Sequence, residues 1–338
     1  MGTVKQMDLD ALADARRAEW ARLDHLGRSR RLSGAEIDEL VTRYRAASAD
    51  LADIKTTAGR TAEGDYVSLL LARARRRLTG RGENPLRQIP RFFVWQLPAA
   101  LYRLRWTTLA VAVFFVMVAA VVATWISRDP ALVASLGSQV QLGYYAEVEF
   151  EGYYSENPAA VFAGTVWTNN AWIAAQSVLF GITGIWPVMV LVQNAVAVGT
   201  AAAVLAAFDR IDTFFLFILP HGQLELTCVF VAVAAGLHLF WSWVAPGPRT
   251  RGEALASQGR ALATVAIGLV FALAVAGIIE GFVTAQAWPW VLKIGIGTAA
   301  LAGFLIYMLV VGRRAARAGE TGDLTEFHAG TARLWTGG

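Results

Sequence analysis

Apolar residues are spaced periodically over the first hundred positions and run almost unbroken after them. Leu9, Leu12, Leu23 and Leu26 recur at helical spacing with Trp20, which predicts a first amphipathic helix. Ser33-Gly34-Ala35-Glu36 reads as a capping box ahead of Ile37, Leu40, Val41, Tyr44, Leu51 and Ile54. A third helix, about 63–79, carries Tyr66, Leu69, Leu70 and Leu78 with the basic run Arg73, Arg75, Arg76 and Arg77, and Gly80–Pro85 breaks it. Residues 87–103 alternate arginines with Phe92, Phe93, Trp95, Leu97 and Tyr102, a pattern that suits a helix lying in a membrane interface.

Six stretches beyond this point are long and apolar enough to read as membrane segments: about 106–126, 161–181, 185–207, 214–244, 262–283 and 291–312. A helix needs about 20 apolar residues to cross the hydrocarbon core. The run Phe214–Val244 exceeds that and contains Pro220, so Phe214–Leu219 reads as a lead-in or re-entrant piece, with the helix proper starting near Pro220. The fold class expected is therefore an all-α polytopic bundle of about six transmembrane helices, one of them broken or re-entrant. The domains expected are a cytoplasmic basic helical region over 1–105, a transmembrane domain over 106–312 with an external segment at 127–160, and a cytoplasmic tail over 313–338.

Composition agrees with this class. Of 338 residues, 56% are hydrophobic and only 17% charged, against about a quarter charged in soluble domains. Charge also orients the bundle. Arg81 to Arg105, Arg249/Arg251/Arg260 and Arg313/Arg314/Arg317 fall on one side, whereas Asp129, Glu147, Glu149, Glu151 and Glu156 face Arg128 alone on the other. The positive-inside rule then places both termini in the cytoplasm and the protein in the inner (plasma) membrane. Residues 1–105 hold 20 Lys/Arg against 13 Asp/Glu, an excess better suited to an anionic leaflet than to nucleic acid. Trp106, Trp125, Trp186, Trp241, Trp243, Trp288 and Trp290 lie near segment ends, as an interfacial aromatic belt requires. The first 30 residues are polar, without the apolar core of a cleavable signal. Cys228 is the lone cysteine, which excludes an intrachain disulfide and a thiolate metal cage.

Candidate chemistry centres on His221 and Glu225, four apart and so on one helical face. Titratable groups at membrane depth are costly and mark sites by default. Glu280, Asn169, Asn170 and Asn194 fall at comparable depth and could join them in an outward-facing depression. Gly222, Gly199 and Gly236 would allow close approach of a neighbouring chain. Leu142–Asn157, with Tyr144, Tyr145, Phe150, Tyr153 and Tyr154 among its acids, is expected to pack on the bundle or cover its outer mouth. Three readings of His221, Glu225 and Glu280 stand open. They could satisfy structure alone, with Glu280 pairing Lys293 across the hairpin at Trp288-Pro289-Trp290. They could form a substrate, lipid or proton site. They could also form a metal or hydrolytic site, although H-x-x-x-E lacks the second histidine of a zinc-protease helix. Thr165, Ser177 and Thr227 have no evident base partner, and no phosphate loop is present, so no catalytic residue, metal or cofactor is assigned.

The pieces Thr168-Asn169-Asn170, Gln193-Asn194 to Gly199, Leu219-Pro220-His221-Gly222-x-x-Glu225-Leu226, Ala234-Ala235-Gly236 and Ile279-Glu280-Gly281-Phe282-Val283-Thr284 together resemble the stage II sporulation protein M family (DUF95) of bacterial integral membrane proteins. Arg43-Tyr44-Arg45 with Asp50-Leu51 is similar to the family's cytoplasmic helical region. The resemblance implies a scaffold or regulator of cell-envelope, peptidoglycan-remodelling or assembly machinery, related to the family's role in sporulation. Relatives often stand near MoxR-type ATPases, DUF58 proteins and RDD-family proteins, which implies protein partners of that kind beside the lipid bilayer; self-association is a further expectation. A transporter or channel for a small solute, ion or lipid is the alternative, and an intramembrane hydrolase the third.

Overall fold

The computed structural model describes residues 2–29, 32–58, 61–78, 89–154 and 158–323. The Gly80–Pro85 break, Glu156 and the tail after Asp323 lie outside the described residues. All described secondary structure is helical, and the chain divides into two compact units, one within Met1–Ile89 and one within Pro90–Glu326.

The first unit consists of α1 (Gly2–Arg28), α2 (Gly34–Ala58) and α3 (Ala62–Leu78). Each supplies one apolar stripe, and the stripes meet in a core of Trp20, Leu23, Leu26, Leu40, Ile54, Val67 and Leu70. Helix α2 starts at a capping box: the Glu36 carboxylate accepts from the Ser33 backbone N–H at 2.8 Å, and Ser33 Oγ accepts from the Glu36 N–H at 3.3 Å. Arg22 from α1 and then Arg43, one turn on along α2, grip Glu39 at 2.7 and 2.8 Å and hold its carboxyl down to about 2. Inside, the Trp20 indole donates to Asp50 Oδ2 at 2.9 Å, and Asp50 is buried. Asp50→Ala should cost this unit about 1–3 kcal/mol, because it leaves the buried indole N–H unpaired. Hydrogen exchange on the full-length protein checks this: amides of α1–α3 should lose protection while the exposed control Asp53→Ala shifts it by less than about 0.5 kcal/mol. Equal protection in the two variants would refute the assignment.

The second unit is built from α4 (Ile89–Arg128), α7 (Ala159–Leu179), α8 (Ile185–Ala207), α9 (Ile211–Val244), α10 (Arg251–Thr284) and α11 (Trp290–Arg317), with short α5 (Pro130–Leu136) and α6 (Gln139–Tyr144) between α4 and α7. Five of these six, all but α7, combine the length and apolarity of a membrane crossing. Helix α7 is the exception to the expected six. It is 21 residues long, but Thr168, Asn169, Asn170 and Gln176 dilute its apolar face. It packs instead against α9 and α10. Exposed stripes such as Leu109, Val113, Val116, Met117, Val121 and Trp125 on α4 fit a hydrocarbon surrounding rather than water.

Two expected breaks are absent. Within the stretch 87–103, the described residues from Ile89 on do not form a separate helix but continue directly into the membrane segment as α4. A π-helical turn at Phe92–Gln96, in which the Leu97 N–H reaches the Phe92 carbonyl, carries the chain past Pro98. Likewise α9 is not broken or re-entrant at Pro220, but runs from Ile211 to Val244 with Pro220 inside it. Proline removes one backbone hydrogen bond, that of the Leu216 carbonyl, and packing on all sides holds the helix continuous. Helix α9 packs against α4, α7, α8, α10 and α11 at once, and Gly297 of α11 lies so near that a Cβ there would collide with the Pro220 carbonyl oxygen.

The bundle has two unlike ends. At one, Arg103 donates to the Thr321 carbonyl at 2.8 Å and Arg260 pairs with Asp323 at 2.6 Å. At the other, Tyr145, Ala146, Phe150 and Tyr154 join Phe162, Phe208, Phe214 and Phe217 in one aromatic cluster. The segment after α6 therefore packs on the bundle.

Candidate functional site

Beneath that aromatic cluster lies a set of buried polar groups from four elements. Helix α9 presents His221 and Glu225 on one face, one turn apart. The last turn of α10, Glu280–Thr284, is π-helical and contributes Glu280 and Thr284. Asn170 comes from α7, and Tyr154 closes the set from the aromatic segment. One ligand atom each of His221, Glu225 and Glu280 lies within 4.8 Å of the others. His221 Nε2 stands 3.7 Å from Glu280 Oε1, and both residues are less than 5% exposed. Glu225 is partly buried as a residue, but its Oε2 is shut off from solvent.

Each group has a definite neighbour. His221 Nδ1 is 3.2 Å from Thr284 Oγ1, and that hydroxyl donates in turn to the Ile279 carbonyl at 3.4 Å. The Asn170 side chain lies beside the Glu225 carboxylate. Tyr154 stacks at a tilt on the imidazole, 5.8 Å between centroids, and on Phe217 at 5.2 Å. Burial, then the Glu280 carboxylate, pushes the Tyr154 phenol well above its ordinary range. By contrast, Glu225 Oε2 and Glu280 Oε2 are buried without a hydrogen-bond partner. A buried unpaired carboxylate oxygen is expensive, so two in one place make this cluster the candidate site.

Several sequence expectations end differently. Asn169 is exposed, because it sits about 100° around the helix from Asn170. Asn194 donates to the Val190 carbonyl of its own helix at 2.8 Å and makes no described contact with the trio. Lys293 does not pair with Glu280. Its buried ammonium donates to the Thr284 and Gln286 carbonyls at 2.8 and 3.2 Å and lies 5.0 Å over the Phe217 ring. It thus caps the end of α10. Gly222 is not a close-approach point between helices, since a Cβ there would meet only Ile218 of the same helix, at 3.0 Å. Gly199 and Gly236 do stand at crossings: a Cβ on Gly199 would be 2.6 Å from the Ala119 carbonyl oxygen, and one on Gly236 would be 3.2 Å from Gly181 Cα. The hydroxyls of Thr165, Ser177 and Thr227 each donate to a carbonyl one turn back, so none is set up as a nucleophile. Thr284 and Tyr154 are the site residues that sequence reasoning did not single out. Thr284 closes the Glu280 motif, and Tyr154 sits in the unusually aromatic acidic stretch, so both had a signal.

The helices and the enclosed polar cluster define an integral, multi-pass membrane protein with a cluster of titratable groups inside the bundle. Residues 109–285 match the family model for Stage II sporulation protein M, and residues 10–80 match a domain of unknown function, DUF8413. The chain belongs to the stage II sporulation protein M family. The matched span includes His221, Glu225, Glu280, Asn170, Thr284 and Tyr154, and leaves out Lys293. Comparison with curated proteins and with solved structures returns no match.

Proposed function

We propose that this protein is a non-enzymatic plasma-membrane component of cell-envelope machinery, with both termini in the cytoplasm. Its N-terminal helical unit docks protein partners, a MoxR-type ATPase system among them, while the bundle holds it in the lipid bilayer. The observation carrying this reading is the separate core of the first three helices. That unit needs no membrane segment to bury its apolar face, so it is free to serve as a docking module. Its charged surface, with Arg22, Arg43 and Glu39 joined at the helix seam, suits protein recognition.

Co-purification from native membranes, comparing the full chain with a deletion of residues 2–85, tests the reading. The deletion should lose the cytoplasmic partners while remaining in the membrane. An identical partner set would sink it. Transport of a small solute or ion is the second reading, favoured by the unpaired carboxylate oxygens inside the bundle. Flux in proteoliposomes that Glu225→Gln leaves intact would exclude it.

A further inference from the structure

We infer that His221, Glu225 and Glu280 form a binding site for one divalent first-row transition-metal ion, with Thr284 orienting His221. Hydrogen-bond direction makes the first step. With the Thr284 hydroxyl donating to the Ile279 carbonyl at 3.4 Å, its oxygen is left to accept from His221, which assigns the imidazole proton to Nδ1. Nε2 then presents a lone pair toward Glu280 Oε1, 3.7 Å away. That distance is too long for a hydrogen bond. An N–H donated by His221 to a second-shell oxygen while the other nitrogen faces the centre is how proteins aim a metal-binding histidine.

Counting donors and acceptors makes the second step. His221, Glu225 and Glu280 each offer one ligand atom within 4.8 Å of the others, Nε2 facing Glu280 Oε1, and no described donor pairs Glu225 Oε2 or Glu280 Oε2. Converging acceptors in a low-dielectric interior are relieved by a bound cation or by protonation of a carboxylate, and metal titration separates the two. Lys293, the buried cation close by, is committed to the Thr284 and Gln286 carbonyls. Two carboxylates and one divalent ion sum to zero charge, the cheapest total at this depth.

Spacing makes the third step. An ion about 2.1 Å from each ligand atom spans a 3.7 Å gap at an angle of about 120°, within the range of low-coordinate sites. The widest spacing, at most 4.8 Å, has to close by about 1.2 Å to reach the roughly 3.6 Å that two bonds of about 2.1 Å span at about 120°. Rotation of a carboxylate side chain supplies that movement. Imidazole with carboxylates suits Zn²⁺, Fe²⁺ or Mn²⁺ better than Mg²⁺ or Ca²⁺, and the absence of thiolate disfavours Cu⁺. Cys228 is buried elsewhere on α9 and is not a member of the cluster.

The test uses the full-length protein, purified in detergent, stripped with chelator and titrated with Co²⁺ as a spectroscopic substitute and with Zn²⁺ in competition. One Co²⁺ per chain should bind and show ligand-field bands in the visible, displaced by Zn²⁺. His221→Ala and Glu280→Gln should abolish the bands. Thr284→Val, which keeps the side-chain shape, should weaken binding about 10–100-fold. Asn194→Ala should match wild type. Monodisperse wild-type protein that takes up neither ion overturns the site and leaves a proton-only cluster; so does full uptake by Glu280→Gln. Should Glu280→Gln fail to fold, the Thr284→Val titration decides, with wild-type affinity counting against the site. Metal uptake is read in the absence of partners, so it stands or falls apart from the docking function.

Discussion

Gly236→Val is expected to destabilise the membrane bundle by about 3 kcal/mol or more and to lower its apparent unfolding midpoint in detergent by roughly 6–12 °C. Helix α9 crosses the turn between α7 and α8 with almost no side chain between the backbones. A Cβ at Gly236 would strike the Ser177 carbonyl oxygen and stand 3.0 Å from Pro187 Cγ. Backbone oxygen cannot rotate away as a side chain can, so the α7–α8 hairpin would have to move as a body and drag Asn170 from Glu225. Gly303→Val is the control, because a Cβ there meets nothing within 4 Å, and it should leave the midpoint nearly unchanged. Matching midpoints for the two variants would show that the crossing is loose.

Tyr154→Ala is the second large effect, at about 3–5 kcal/mol for loss of a buried aromatic ring. Tyr154 touches Phe150, Tyr153, Phe162, Phe217 and the His221 imidazole, so its removal opens the cluster from the aromatic end. Hydrogen exchange should accelerate over Phe214–Gln223 while Phe230–Gly236, buried in the centre of the bundle, stays protected. Tyr154→Phe keeps the ring contacts and should stay within about 1 kcal/mol of wild type. Acceleration of both stretches alike would mean that the ring supports the whole fold rather than the site.

Much of this arrangement was legible in the residues themselves. The switch from periodic to continuous apolarity near residue 105 is a direct consequence of two different solvents, and it announced both the helical class and the membrane. His221 and Glu225 had to share a face because helical geometry leaves four-residue neighbours no alternative. What the chain did not reveal is rotation. Asn169 and Asn170 are equivalent by depth, and only the packing of α7 on α9 and α10 turns Asn170 inward and Asn169 out. Glu280 could be placed at the right depth but not at 3.7 Å from an imidazole. Lys293 looked like its natural partner by charge, yet carbonyls left at the end of α10 were closer and bound it first. Pro220 was misleading for a related reason: a proline breaks an isolated helix, whereas one surrounded by five others loses a single hydrogen bond and continues.

The ring of Tyr154 over the imidazole has a kinetic corollary. Any ion or small molecule reaching His221 from the aromatic end must wait for that ring to leave its packing. An open form lying about 3 kcal/mol above the closed one is populated in roughly one molecule in 150. Entry would then run about 150 times slower than for the same groups left uncovered, and departure would be slowed equally. Occupancy would respond over long intervals rather than follow rapid fluctuations in its surroundings, which gives the centre the character of a retained constituent more than of a transient sensor.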